Sequence, residues 1–228
     1  LLRKEGLKVA LSGEPSAANK TVKLVVLPPS EMPPALAAKT IAGYVVAEPF
    51  NALAEVNGIG KILRFTGDVW RDHACCVTVV RGDLIRSNPL AAQAIVDSIA
   101  QAQLWLNKNR ATAADVLKAY LPQAPAAITK ALNSYSQTDY PQAIKNPAWL
   151  SERITFQPYP FASYTTELIK ELRKTRVDDD NQWLQTINLR TAHREFVAAG
   201  LAERAINKLG GRRQFGLTSL TRTETIRP

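Results

Sequence analysis

The 228-residue sequence predicts an α/β fold built around a mainly parallel sheet. Two observations lead there. Three runs rich in small and β-branched residues have the length and composition of buried strands: "VKLVVLP" (Val22–Pro28), "IAGYVVAEP" (Ile41–Pro49) and "CCVTVVRGDLI" (Cys75–Ile85). Between and after them come stretches of helical periodicity, about ten residues each, which is the alternation of βα units.

The elements are justified in turn. "LLRKEGL" is expected to continue a helix begun upstream, where an export signal could also lie. After the first strand, Ser30 is placed to cap a helix that carries Pro33 and Pro34 in its early turns. The second strand ends at Glu48 and Pro49, and "FNALAEVNGIG" follows as a helix with Gly58 and Gly60 as exit signals. Asn88 caps a long helix with Pro89 in its first turn, and "TAADVLKAYL" and "PAAITKALNSY" read as shorter helices. The Pro- and aromatic-rich stretch Tyr140–Ser163 reads as an irregular wrap with one strand, "RITFQ". "YTTELIKELRKT" is a helix, "TAHREFVAAGLAERAINKLGG" a single helix closed by Gly210 and Gly211, and the tail from Arg212 is expected to be poorly ordered.

Composition bounds the function. Hydrophobic residues make up 46% and charged residues 21% of the chain, the balance of a globular protein. No apolar run approaches the roughly 20 residues of a membrane-spanning helix. The net charge of +9 is concentrated toward the C-terminus but lacks an RNA-binding aromatic signature, zinc-finger spacing or a basic heptad helix. It reads as a solvated basic face, one that also helps to gather anions, and not as a nucleic-acid surface.

Several residues invite chemistry that their spacing does not support. Adjacent Cys75 and Cys76 cannot both point at one tetrahedral ion, so no metal site is expected. In a strand they would face opposite packing layers as small buried hydrophobes. Asp178–Asp180 lack the alternating oxygen ligands and central Gly of a calcium loop. His193 lies in a basic helix and is expected to be exposed. No Ser/His/Asp or paired-carboxylate arrangement stands out, so no catalytic residue is assigned.

Three motifs occur in order: a Pro-Pro-x-x-Met loop (Pro28–Met32), a Gly-Tyr-x-x-x-Glu-Pro turn (Gly43–Pro49) and a Trp-x-x-His strand entrance (Trp70–His73). With "RITFQPYPFASYTTELIKELRKT", they resemble the solute-binding proteins of nitrate/sulfonate/taurine/bicarbonate-type ABC importers. The resemblance implies a two-lobed, type II periplasmic-binding-protein-like fold, of which this chain covers the later part. Residues 1–66 would be the later part of the second lobe, 67–175 the return segment to the first lobe with a helical portion, and 176–228 the C-terminal helices and basic tail. It also implies capture of a small anionic nutrient, sulfonate- or nitrate-like, and delivery to a membrane permease at the periplasmic or extracellular face. No cofactor and no nucleic-acid partner are implied, and membrane association would come only through the permease or a lipid anchor. In the nitrate and bicarbonate binders the stretch after the histidine tends to read His-Pro-Glu-Lys. Here Ala74, Cys75 and Cys76 stand instead, which counts against those two solutes.

The candidate ligand residues are Ser30, Tyr44, Glu48, Phe50, Asn51, Trp70 and His73. Glu48 either caps the following helix or lines a cleft where sheet gives way to helix, and the two roles are compatible. Ser30 is either a turn residue or a hydroxyl donor beside helix-start amides. His73 is either a satisfied structural histidine or a ligand contact. Two rivals come from other classes. One is an enzyme on the same fold, related to thiamine pyrimidine precursor synthesis, which "HACC" faintly echoes. The other is a basic nucleic-acid-binding module.

Overall fold

The computed structural model describes residues 1–10, 13–133, 135–149, 153–175 and 181–227. The chain forms two compact units. One comprises Leu1–Cys75, Ala111–Ile154 and the residues from Ile226; the other comprises Cys76–Arg110 and Thr155–Thr225. The acidic run Asp178–Asp180 lies outside the described residues.

The first unit opens with a turn over Leu1–Gly6 in place of the expected helix. It continues with β1 (Lys8–Ala10) and β2 (Thr21–Lys23), paired in parallel with Lys8 opposite Thr21 and Ala10 opposite Lys23. Beyond Lys23, the first predicted strand runs on as unpaired chain. Leu24, Val25 and Val26 are 65%, 55% and 92% exposed, which places both faces of the run in solvent. The runs 41–47 and 74–80 are also outside any strand, and "RITFQ" forms none. A strand needs a partner ladder as well as apolar alternation, and among the described residues none of these runs is assigned to a ladder.

The helices of this unit follow their sequence signals. Between Pro28 and α1 (Met32–Ala37), residues Pro29–Glu31 form a 3-10 turn, so Ser30 lies before the helix without capping it. Pro33 and Pro34 occupy the first turn of α1, where a missing N–H is no loss. Helix α2 (Phe50–Val56) ends as predicted near Gly58, whose φ of 65° suits a residue without Cβ. In α6 (Pro125–Asn133) the buried residues Ala127, Ile128, Ala131 and Leu132 form one helical stripe. Ala52 of α2 clusters with Ala127 and Ala131, small side chains that let two helices approach closely, with Leu53 and Ile154 at the edge. Helix α5 (Arg110–Leu117) buries Ala113 and Ala114.

The second unit is helical: α3 (Gly82–Ser87), α4 (Pro89–Lys108), α7 (Ala162–Lys174), α8 (Gln182–Thr186), α9 (Ala192–Phe196) and α10 (Ala199–Lys208). Asn88 caps α4 as read, its Oδ1 accepting from the Ala91 amide at 3.1 Å. The single C-terminal helix expected from the sequence is instead two, broken at Val197–Ala198, where Val197 is extended. Ala100 of α4 packs with Ala202, Ala205 and Ile206 of α10, joined by Tyr159, Phe161 and Phe215. At the edge of this seam, Gln93 donates to the Leu201 carbonyl at 3.0 Å and Lys208 pairs with Asp97 at 2.8 Å. Ala205 is fully buried there, so Ala205→Leu is expected to force the helices apart and lower stability by about 1–2 kcal/mol, read as a lower urea midpoint.

The tail after Arg212 packs back on the second unit, against expectation. Leu217 and Leu220 pack on the same cluster, which anchors it. His193 is half-buried, with Nδ1 2.9 Å from the Thr165 hydroxyl, because α9 lies against α7. No helix among the described residues is long and apolar enough to cross a membrane.

Candidate ligand-binding site

Four of the seven candidate residues converge on the turn that starts α2. The extended run after Ile41 reaches Glu48, whose peptide bond to Pro49 is cis. Tyr44 donates its hydroxyl to the Phe50 carbonyl at 2.9 Å, and Asn51 donates through Nδ2 to the Val46 carbonyl at 2.7 Å. The Ala52 amide donates to Glu48 Oε2 at 3.0 Å, so Glu48 caps α2. Phe50 opens the helix, half-buried. The polar groups of Tyr44, Glu48 and Asn51 thus hold the turn's own backbone.

The sequence reading missed what sits behind this turn. Tyr135 donates its hydroxyl to Glu48 Oε1 at 2.5 Å. Its ring lies 5.1 Å from Phe65 and 5.2 Å from Tyr140, in tilted and edge-on geometry. One helical stretch further on, Glu55 accepts from the Tyr140 hydroxyl and from the Ile62 amide at 2.9 Å, and Lys130 lies 3.4 Å away. Glu48 lies just before α2 and Glu55 in its last turn, seven positions on. That spacing was the available signal, but both tyrosines lie more than 80 residues away along the chain, with separations of 87 and 85. Beside Glu55, Lys130 and Tyr140 opens a cavity of about 920 Å³, bordered also by Lys61 and Asp139.

Electrostatics follow burial. Desolvation pushes the Glu48 carboxyl above the usual range, against hydrogen bonds from Tyr135, Ala52 and Asn51 that lower it. Tyr135 is driven well above an ordinary phenol by burial, with the Glu48 charge adding to it. Tyr140 is pushed up to about 12 by burial and by its bond to Glu55. Burial also raises Tyr44, with Glu48 as the second cause.

The remaining candidates lie elsewhere in the unit. Trp70 is buried and forms an antiparallel bridge with Ile226, while the Arg227 amide donates to the Val69 carbonyl at 2.7 Å. His73 meets Trp70 edge-on with centroids 6.0 Å apart, and burial lowers its pKa, so the ring is neutral at pH 7. Two residues before Trp70, Asp68 is wholly buried and pairs with Arg153 at 3.4 Å. Ser30 is exposed, and its hydroxyl has no hydrogen-bond partner among the described residues. Cys75 and Cys76 are exposed and form no disulfide, which corrects the expectation of one in each packing layer: their run is assigned to no sheet. Among the described residues no three His, Cys, Asp or Glu side chains gather as a metal site would require.

Comparison with known proteins gives a consistent picture. The model of the NMT1-like family matches residues 1–121. The nitrate/nitrite binding protein NrtA of Nostoc sp. (strain PCC 7120) is 38% identical over 90 residues, which is 40% of this chain and 20% of that protein. The bicarbonate transport ATP-binding protein CmpC of Synechocystis sp. (strain PCC 6803) is 33% identical over 84 residues, 37% of this chain and 13% of that one. Among solved structures, the periplasmic nitrate-binding protein NrtA from Synechocystis PCC 6803 superposes with a TM-score of 0.66 at 19% identity, over 92% of this chain and 54% of that one. The chain therefore shares the binding-protein fold, while the matched region spans about a fifth of NrtA in the sequence comparison and about half in the structural one.

Proposed function

Because the chain belongs to the NMT1-like family, we propose that it serves as part of an extracytoplasmic solute-binding component of an ABC importer. It captures a small oxyanion, of the nitrate, bicarbonate or sulfonate kind, and hands it to a permease. The observation that carries this reading is the family match over residues 1–121, because all seven candidate residues, Ser30 to His73, lie inside it. The relatives that bind nitrate and nitrite or serve bicarbonate transport supply the solute class. The work is binding and closure between two lobes, without covalent chemistry.

In this reading Glu48 does not touch the anion. Its two oxygens are engaged by Tyr135 and Ala52, and a carboxylate beside an anion would repel it, so its part is to fix the turn that presents α2. Donors come from the Ser30 hydroxyl and from neutral His73, with Trp70 as an apolar wall. The bare run Leu24–Val26 fits the same picture: it is an exposed apolar segment outside any strand, of the kind a second lobe would cover.

The test is a thermal-shift titration with nitrate, nitrite, bicarbonate, taurine and short alkanesulfonates, each against chloride at equal ionic strength. A ligand at about 100 times its Kd adds about 2.7 kcal/mol and should raise Tm by several degrees in a dose-dependent way. His73→Ala is expected to weaken that response while leaving the unliganded Tm within about 2 °C. A flat response to all five solutes would remove the proposal.

A further inference from the structure

Two arginines of the second unit line a hollow that contains no acid. The 3-10 turn Arg212–Phe215 and the chain after it enclose about 320 Å³, lined by Arg212, Arg213, Gly216, Leu217 and Thr218. Neither guanidinium has a hydrogen-bond or ion-pair partner among the described residues.

The backbone that carries them is fixed. Phe215 is buried in the α4–α10 cluster. The Leu217 amide donates to the Arg212 carbonyl and the Gly216 amide to that of Arg213, both at 3.1 Å. Gln214, between them in the turn, accepts from Lys108 Nζ at 3.1 Å. Downstream, Arg222 holds Glu224 through two bonds of 2.7 and 3.2 Å, and Ser163 donates to the same carboxylate at 2.8 Å. The arginine pair is thus held on an anchored turn.

Two adjacent like charges on a rigid turn repel each other, and an anion between them relieves the repulsion. Guanidinium groups present planar forks of donors that match oxygens carried on one centre, which a halide lacks. The Thr218 hydroxyl adds a third donor. We propose that this hollow binds a phosphate-type oxyanion, at a place independent of the solute site in the first unit. Free phosphate and the headgroup of an anionic phospholipid share that chemistry. Because both arginines are exposed, binding is weak and salt-sensitive.

The protein is titrated with sodium phosphate at constant ionic strength, with sodium chloride as control, following the amide resonances of residues 212–219. In parallel it is sedimented with phosphatidylglycerol or phosphatidylcholine vesicles. A saturable phosphate response is expected, weakened by more than about tenfold in R212A/R213A and by less in Thr218→Val. Arg212→Lys/Arg213→Lys keeps the charge but loses the forks and should fall between wild type and R212A/R213A. Loss of phosphatidylglycerol co-sedimentation in R212A/R213A would identify the headgroup as a source, and a response to phosphate alone would identify the free anion. Equal binding by wild type and R212A/R213A, or a phosphate response no larger than that to chloride, overturns the site. Unchanged Tm values of the variants separate these outcomes from unfolding.

Discussion

Replacing Asp68 by Ala is expected to lower the stability of the first unit by about 3–5 kcal/mol, among the largest single-site losses in the molecule. The Asp68 side chain is 0% and the Arg153 side chain 3% exposed, so neither charge is solvated and each depends on the other. The carboxylate also accepts from the Asn146 amide at 2.9 Å, and Asn146 Nδ2 donates to the Asp68 carbonyl at 2.8 Å. Removing Asp68 leaves the Arg153 guanidinium in a dry site, with Nε already lacking a partner. Arg153→Met alone should cost a similar amount, by stranding the carboxylate. The double variant Asp68→Leu/Arg153→Met should lose far less than the sum, because two uncharged side chains need no compensation. Urea midpoints of the four proteins close the cycle, and hydrogen exchange at the Asn146 amide reports the site directly. Strictly additive losses would show that the pair is not coupled.

Asp68 also shows where the sequence is silent. "GDVW" reads as a turn, and nothing in it points to an arginine near "RITFQ". Local signals were legible. The Asn88 cap, Pro33 and Pro34 in a first turn and the Gly58 exit all act within one helical turn of chain, and the structure honours each. The long amphipathic patterns became α4 and α7 nearly to the residue. Non-local requirements were not legible. The runs at Leu24, Val45 and Val77 have strand composition, yet composition cannot supply the ladder that makes an extended run a strand, and these side chains are 65%, 82% and 75% exposed. For the candidate site, Tyr44, Glu48, Phe50 and Asn51 were identifiable as one turn because their bonds span at most six residues. Tyr135, which completes it, came from another helix's end and could not be seen.

Tyr135→Phe is the second large expected effect, and its size should depend on pH. The substitution keeps the ring against Phe65 and Tyr140 and deletes only the donor to Glu48 Oε1. Burial already raises the Glu48 carboxyl above its ordinary value, and the Tyr135 bond works against that rise, so the variant raises it further. The sign follows from linkage. A carboxyl whose folded pKa exceeds its unfolded value binds its proton more tightly in the fold, so stability is lost as pH rises from the ordinary carboxylate range through the raised value. Tyr135 itself stays neutral throughout, since its own hydroxyl is driven upward. At pH 4 the variant loses a bond to a protonated acid, about 1 kcal/mol; at pH 8 it leaves a buried carboxylate one donor short, about 2–3 kcal/mol. Glu48→Gln in the same background should flatten the dependence, because the amide has no proton to release. Denaturation midpoints of wild type, Tyr135→Phe and the double variant at both pH values decide it. A Tyr135→Phe penalty that is constant from pH 4 to pH 8 would mean that Glu48 does not titrate against this hydroxyl, and that the turn at α2 is held by its backbone bonds alone.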